Sequence, residues 1–252
     1  MIELTGISKS YSNSNKVLDD ISLAIQPNEV CCLLGKNGAG KSTLINILAQ
    51  IIKADEGSIK INGHELSENT ILINEKVGFV TQFDHLINVL TGEQFLTFQS
   101  LIFGMDKAEI YARISSLASF FFDNEVDIYK QIKSYSSGMR MKLKIMAALI
   151  HKPKVLIMDE PFANLDLIAS EKLVLIIKEF VAKDGNCALI SSHDLLYVDL
   201  IATHICVLDN KSISYGGSKA EFTHNGQFAI NTQLLEAIES EPITTENINW
   251  LF

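Results

Sequence analysis

Basic side chains are in short supply in this chain: 21 lysines and arginines stand against 30 aspartates and glutamates, leaving a formal net charge of -9. A protein that grips nucleic acid ordinarily turns a basic face to the phosphates, so this balance argues against nucleic acid as a partner. Cysteine is scarce too. Cys31, Cys32, Cys187 and Cys206 all sit inside apolar runs, with no Cys-x-x-Cys spacing. They read as reduced core residues of a cytosolic protein, not as metal ligands or disulfide partners. Long apolar runs are missing: a stretch such as Leu173 to Ile177 falls far short of the roughly 20 residues of a membrane helix. Met1-Ile2-Glu3-Leu4 has no basic region ahead of an apolar core, so no leader peptide is expected and the chain reads as soluble. Neither an internal repeat nor a low-complexity segment is visible. His64, His85, His151, His204 and His224 lack metal-ligand spacing and receive no role.

What is present is an alternation of strand and helix long enough for one large α/β domain or two small ones. Ile2-Glu3-Leu4 and Ile21-Ser22-Leu23-Ala24-Ile25 alternate with a period of two, the pattern of half-exposed strands. Pro27-Asn28-Glu29 is a turn, and Val30 to Leu34 is continuously apolar, as a buried parallel strand should be. From about Gly92 to Phe122 the pattern turns helical. Phe95, Phe98 and Ile102 recur at spacings of three and four, as do Ile110, Ile114, Leu117 and Phe121, so both stripes are expected in the core. Gly104 closes the first of these helices, and Asp106-Lys107-Ala108-Glu109 has the form of a capping box for the second. Strands and helices then alternate over Val155 to Asp159, Glu171 to Ala182, Cys187 to Ser191, Asp194 to Leu200 and His204 to Leu208. This is the pattern of a parallel sheet with a helical insertion between its halves. Beyond Ser218 only a short helix near Phe228 to Glu239 is expected, too little for a separate domain.

Gly35-Lys36-Asn37-Gly38-Ala39-Gly40-Lys41-Ser42-Thr43 follows the apolar strand and has the spacing G-x-x-x-x-G-K-[ST]. The glycines let successive backbone N–H groups turn inward around a polyphosphate. Lys41 reaches the outer phosphates, Ser42 offers a hydroxyl to Mg²⁺, and the helix that starts near Lys41 points its positive end at the anion. A nucleoside triphosphate is the implied ligand. Val155-Leu156-Ile157-Met158-Asp159-Glu160 then ends an apolar strand in two carboxylates ahead of Pro161. Downstream of a phosphate loop, the first suits Mg²⁺, usually through water, and the second suits a general base that polarises an attacking water.

Ser134-Tyr135-Ser136-Ser137-Gly138-Met139-Arg140 opens a helix running to about Ile150. With this segment in place the chain resembles an ATP-binding cassette (ABC) ATPase. The resemblance extends to about Gly217 and shows, in order, an upstream aromatic, phosphate loop, glutamine loop, signature, acidic strand, Ala163-Asn164-Leu165-Asp166 and a histidine. It implies that two subunits pair head to tail, each signature helix facing the γ-phosphate held by the other. Ser136 can donate a hydroxyl, Gly138 permits close backbone approach, and the helix dipole favours the anion. The resemblance further implies that Tyr11 stacks on adenine, that Gln82 senses Mg²⁺ and the attacking water, and that His193 contacts the γ-phosphate. Arg140, Lys142 and Lys144 are expected on a solvated helix face.

The signature departs from the family's commonest form, Leu-Ser-Gly-Gly-Gln, at Tyr135, Ser137 and Met139. Ser137 adds a Cβ near the trans phosphate position. The Tyr-Ser-x-Gly-Met form resembles that of ATPases from bacterial drug, antibiotic and polysaccharide exporters. The fold class expected is therefore α/β: a phosphate-loop core with an N-terminal antiparallel β portion and a helical subdomain at about residues 90–152, all within residues 1–217, followed by a helical tail over 218–252. Nucleotide binding falls to Tyr11, Gly35, Asn37, Gly38, Ala39, Gly40, Lys41, Ser42, Thr43 and Gln82, and catalysis to Lys41, Glu160 and His193. Ser42, Gln82 and Asp159 serve the metal, and Ser136, Ser137 and Gly138 contact ATP in trans. ATP and Mg²⁺ are the implied cofactors. The implied partners are a second cassette, identical or homologous, and an integral membrane permease on a separate chain, which would place the protein in the cytoplasm on the inner face of the membrane. A competing class is a soluble ATPase of the same family, such as one serving iron–sulfur assembly. DNA-repair members would need a long coiled-coil insertion and translation factors two cassettes, and this chain has neither.

Overall fold

All five residues of strand β3 (Val30–Leu34) are buried, because the strand is covered on both faces. It lies inside a six-stranded sheet whose order is β10-β9-β3-β8-β7-β6. The other members are β6 (Val77–Val80), β7 (Val155–Asp159), β8 (Cys187–Ser191), β9 (His204–Asp209) and β10 (Ser212–Ser218). Strands β9, β3, β8, β7 and β6 run parallel, and only β10 turns back, against β9. The computed structural model describes residues 1–11 and 16–238.

A second, four-stranded antiparallel sheet contains β1 (Ile2–Ser10), β2 (Lys16–Ile25), β4 (Glu56–Ile61) and β5 (His64–Glu65), in the order β2-β1-β4-β5. The alternation of β3 distributes its side chains between two cores. Val30, Cys32 and Leu34 join the apolar cluster of the helical side. Cys31 and Leu33 join the cluster shared by the antiparallel sheet and α1 (Lys41–Leu48). All four cysteines are buried and free. Burial pushes the Cys32 and Cys206 thiols up to about 12, so they remain protonated and chemically quiet.

The helical insertion holds α3 (Gly92–Ile102), α4 (Lys107–Phe121), two single-turn 3₁₀ segments and α5 (Ser137–Leu149), between β6 and β7 and after the short α2 (Thr70–Asn74). Three expectations are corrected here. Phe95 is buried, but Phe98 and Ile102 are exposed, since α3 turns Phe95, Leu96 and Ser100 inward instead. A helix apolar on more than one side does not announce which side the core will take. Asp106 caps α4 by accepting from Ala108 N, while Glu109 leaves the box and pairs with Lys152. A complete capping box forms instead at α3, where Thr91 and Gln94 cap each other's backbone N–H. Finally, Lys142 and Lys144 are buried rather than solvated.

Beyond α6 (Leu167–Ala182) and α7 (Leu195–Ile201) the chain closes with β10, α8 (Lys219–Phe222) and α9 (Ile230–Ala237). The tail helix starts two residues later than expected, and Glu239, like residues 240–252, lies outside the described residues. Lys36 of the glycine-rich loop donates to Ile238 O at 2.9 Å, tying the end of this element to that loop.

Candidate functional site

Parallel pairing brings the carboxyl ends of β3, β8, β7 and β6 to one edge, since Leu33 pairs with Ser191, Asp159 with Ser191 and Val80 with Met158. In open α/β sheets that edge, where successive crossovers part, is where ligands bind. The Gly35 loop, Gln82, Glu160 and His193 all emerge there. Gly35 adopts φ +147, and a Cβ on it would sit 2.1 Å from Leu208 O, so only glycine lets the loop leave the sheet at this point.

Lys41, Ser42, Thr43, Asn37, Gly38 and Gly40 line one side of a cleft of about 280 Å³, and Gln82, Glu160 and His193 line the other. Lys41 is buried, with its ammonium donating to Gly35 O at 2.8 Å and Lys36 O at 3.1 Å. Burial lowers its pKa, while the nearby Glu160 and Asp159 carboxylates pull the other way. Tyr11 is exposed at the site's outer edge, its hydroxyl 3.3 Å from Thr43 Oγ1. Gln82 Nε2 lies 3.5 Å from Ser42 Oγ, across the cleft.

Ser191 organises the carboxylate pair. Its hydroxyl donates to Asp159 Oδ1 and accepts from Glu160 N at 3.0 Å. Glu160 N also reaches Ser191 O at 3.2 Å, and Glu160 holds φ 49, a left-handed conformation costing roughly 1–3 kcal/mol for a residue with a side chain. The Glu160 carboxylate turns to His193, accepting from its backbone N–H at 3.1 Å, with Nε2 3.3 Å from Oε1. Asp159 Oδ2 is buried without a hydrogen-bond partner among the described residues. An orphaned carboxylate oxygen at the end of a strand, one residue before the Glu160 that lines the cleft with Ser42, fits a hard cation.

Ser136 and Gly138 stand outside this cleft. Ser136 caps α5 by accepting from Met139 N at 3.2 Å, and both Ser136 and Ser137 are exposed. A Cβ on Gly138 would lie 2.8 Å from Asn164 O, so the signature packs closely on the loop after the acidic pair. Ser137 faces an adjoining cleft of about 650 Å³ that Asp159, Glu160 and His193 also border. Tyr135 is buried, donating to Asp127 O at 2.8 Å, which explains how a phenol replaces leucine without loss of satisfaction.

Sequence reasoning missed Ser191, the bridge of the carboxylate pair, and Lys142 and Lys144. Ser191-Ser192 ahead of His193, small hydroxyls ending an apolar strand, was the available signal for the first. Lys142 Nζ donates to Asp166 Oδ2 at 2.9 Å, and that hydrogen bond draws the Asp166 carboxyl below its ordinary pKa.

Residues 18–163, more than half of the chain, match the family model described as ABC transporter. The Nod factor export ATP-binding protein I of Paraburkholderia xenovorans is 31% identical, across 87% of this chain and 71% of its own. The linearmycin resistance ATP-binding protein LnrL of Bacillus subtilis is 28% identical, across 88% of this chain and 70% of its own. A solved structure of the ATP binding subunit of an ABC transporter superposes with a TM-score of 0.85 at 25% identity, covering 94% of this chain and 99% of that one. The chain belongs to the ABC transporter family, as the ATP-binding and ATP-hydrolysing subunit of a transporter.

Proposed function

We propose that the chain drives export through a membrane permease carried on a separate chain, by ATP-dependent closure of two cassettes. The observation that carries the hydrolytic part is the convergence of Lys41, Ser42, Gln82, Glu160 and His193 on one cleft. Lys41 and the loop amides hold the outer phosphates, and they stabilise the charge that builds on them during transfer. Ser42 and Asp159, with Gln82 alongside, hold Mg²⁺, which when bound neutralises further phosphate charge. Glu160 takes the proton from the attacking water, and His193 orients the Glu160 carboxylate and contacts the γ-phosphate. Tyr11 stacks on the adenine.

The exposure of Ser136 and Ser137, away from their own chain's phosphate loop, supports completion of each site by a second cassette, the same chain or a homologue. The names of relatives engaged in linearmycin resistance and Nod factor export support the outward direction, as does the Tyr135-Ser136-Ser137-Gly138-Met139 form. No helix among the described residues is long and apolar enough to cross a membrane, so a pore would come from a partner. That partner would hold the protein at the inner face of the membrane. Phe83, Ile87, Val89, Phe98, Leu101 and Ile102 are exposed apolar side chains around the loop and helix after β6, a surface suited to such docking.

Cysteines placed at Phe83 and Ile87 should crosslink to a hydrophobic multi-span chain in native membranes. Recovery of soluble partners alone would favour the iron–sulfur type of ATPase instead.

A further inference from the structure

Two cations on successive turns of α5 grip the loop that follows β6. Arg140 donates to Asp84 Oδ2 at 2.5 Å, to Asn88 Oδ1 at 2.9 Å and to Ile132 O at 2.9 Å. Lys144, four residues on and therefore on the same face, donates to Thr81 O at 3.1 Å and Phe83 O at 2.9 Å. Those two carbonyls flank Gln82. The Lys144 side chain is 8% exposed, and its hydrogen-bond acceptors are neutral. Burial depresses its pKa and Arg140 adds repulsion, with Asp84 the compensating charge.

Placing an ammonium there costs desolvation, and a side chain serving only to fill space would be apolar. What the ammonium adds is orientation: with the Thr81 and Phe83 carbonyls turned toward Lys144, the 81–82 and 83–84 peptide planes are fixed, and Gln82 is held in the short span between them. The Gln82 amide then stands 3.5 Å from Ser42 Oγ. We infer that Lys144 is a positioning residue for Gln82, fixing the amide at the metal side of the nucleotide cleft from the helix that the signature begins. This rests on the reading of Gln82 and Ser42 as the metal side of that cleft. Lys144 is not among the residues lining the cleft of the phosphate loop. Its effect passes through the backbone of residues 81–83, as an outer group orients a metal ligand.

The test compares Lys144→Met, which keeps the length of the stem and loses the donors, with Lys144→Arg, which restores donors, and with Gln82→Ala. Binding of Mn²⁺ to the ATP-loaded protein, followed by electron paramagnetic resonance, is the readout independent of turnover. Lys144→Met should weaken Mn²⁺ binding about tenfold, the usual cost of losing a group that orients a metal ligand. It should leave ATP affinity without metal unchanged, and Lys144→Arg should recover most of the loss. Lys144→Met combined with Gln82→Ala should be no worse than Gln82→Ala alone, since both act through one amide. If Lys144→Met fails to fold, Lys144→Gln, which can still serve one carbonyl, should show the same loss in smaller degree. Normal Mn²⁺ binding in the Lys144 variants, with Gln82→Ala impaired, overturns the positioning role alone. Normal binding in Gln82→Ala overturns the reading of Gln82, and the positioning role with it.

Discussion

His193 meets Glu160 twice: its backbone N–H donates to Oε2 at 3.1 Å, and its ring Nε2 stands 3.3 Å from Oε1. Only the backbone contact is a hydrogen bond, and Oε1 stays without one among the described residues, while the Glu160 backbone is held in a left-handed turn by Ser191. The ring contact is replaceable, while the backbone contact survives any substitution that keeps the fold. Glu160→Gln keeps the shape and loses the basicity, so ATP turnover should fall by about a hundredfold or more. His193→Ala should also slow turnover, removing the imidazole beside Oε1 while the backbone bond to Oε2 persists. Steady-state phosphate release from purified protein decides both, and normal turnover in Glu160→Gln would remove it as the base.

Lys41 donates to Gly35 O and Lys36 O within its own loop. An outer phosphate would offer it a formal negative charge in place of two neutral carbonyls. Lys41→Ala should therefore abolish hydrolysis and weaken MgATP binding by roughly ten- to hundredfold, the worth of a hydrogen bond between charged groups. Calorimetric titration with ATP checks the binding arm separately from turnover.

The two ends of legibility lie close together in the chain. The Gly35 to Thr43 loop and the Val155 to Glu160 strand could be read directly, because their chemistry is written in contiguous residues between regular elements. The buried state of Lys142 and Lys144 could not. On α5 they look like any basic face, and only the packing of residues 81–88 and of Asp166 against that helix, distant in sequence, buries them. Phe98 and Ile102 failed for the converse reason: local spacing made them core, but the face of α3 that carries them is left exposed. Ser191 was legible only as a strand residue, since its bridging role depends on the β7–β8 register.

His151 gives the fold a pH dependence of its own. Its Nε2 stands 3.1 Å from Val77 O, Nδ1 is buried without a hydrogen-bond partner among the described residues, and the ring stacks on Phe103 at 3.9 Å. Burial, with a smaller push from Arg113, holds its pKa down at about 4, against an ordinary 6.5. The unfolded chain therefore takes up this proton first as pH falls. Stability from this group is intact above 6.5, declines between 6.5 and about 4, and levels off below. That gap corresponds to on the order of 3 kcal/mol. His85, also lowered by burial, acts in the same direction, so the measurement is a difference. Wild type minus His151→Gln, by urea unfolding from pH 7.5 to 4, should show the slope. Asp166, held down by Lys142, loses its contribution only below the ordinary carboxylate value of 3.8, outside that window. Parallel pH profiles for the two proteins would refute the assignment.

The Lys36–Ile238 contact predicts that the tail element responds to the phosphate loop. Lys36→Ala removes the donor to Ile238 O, a loss of about 1 kcal/mol. Amide exchange in residues 230–238 should then quicken by roughly fivefold, that same energy expressed as local opening. Unchanged exchange would mean that apolar packing of Ile230 and Ile238 alone holds the element.

Glu160→Gln should do more than slow the chemistry. Removing a negative charge beside the γ-phosphate favours the ATP-bound, closed arrangement, in which each exposed Ser136-Ser137-Gly138 segment grips the nucleotide of the other subunit. The variant should accumulate as an ATP-dependent dimer, or as a locked pair with its homologue where the native partner differs. Light scattering with and without MgATP measures this directly. Ser136→Arg in the same background is the control: its side chain projects from the exposed cap of α5, where it would block the facing phosphate loop but leave the chain's own cleft untouched. It should restore the monomer while ATP binding persists. A Glu160→Gln protein that hydrolyses normally and stays monomeric in MgATP, alone and with its partner, would refute both the base and the closed two-cassette state.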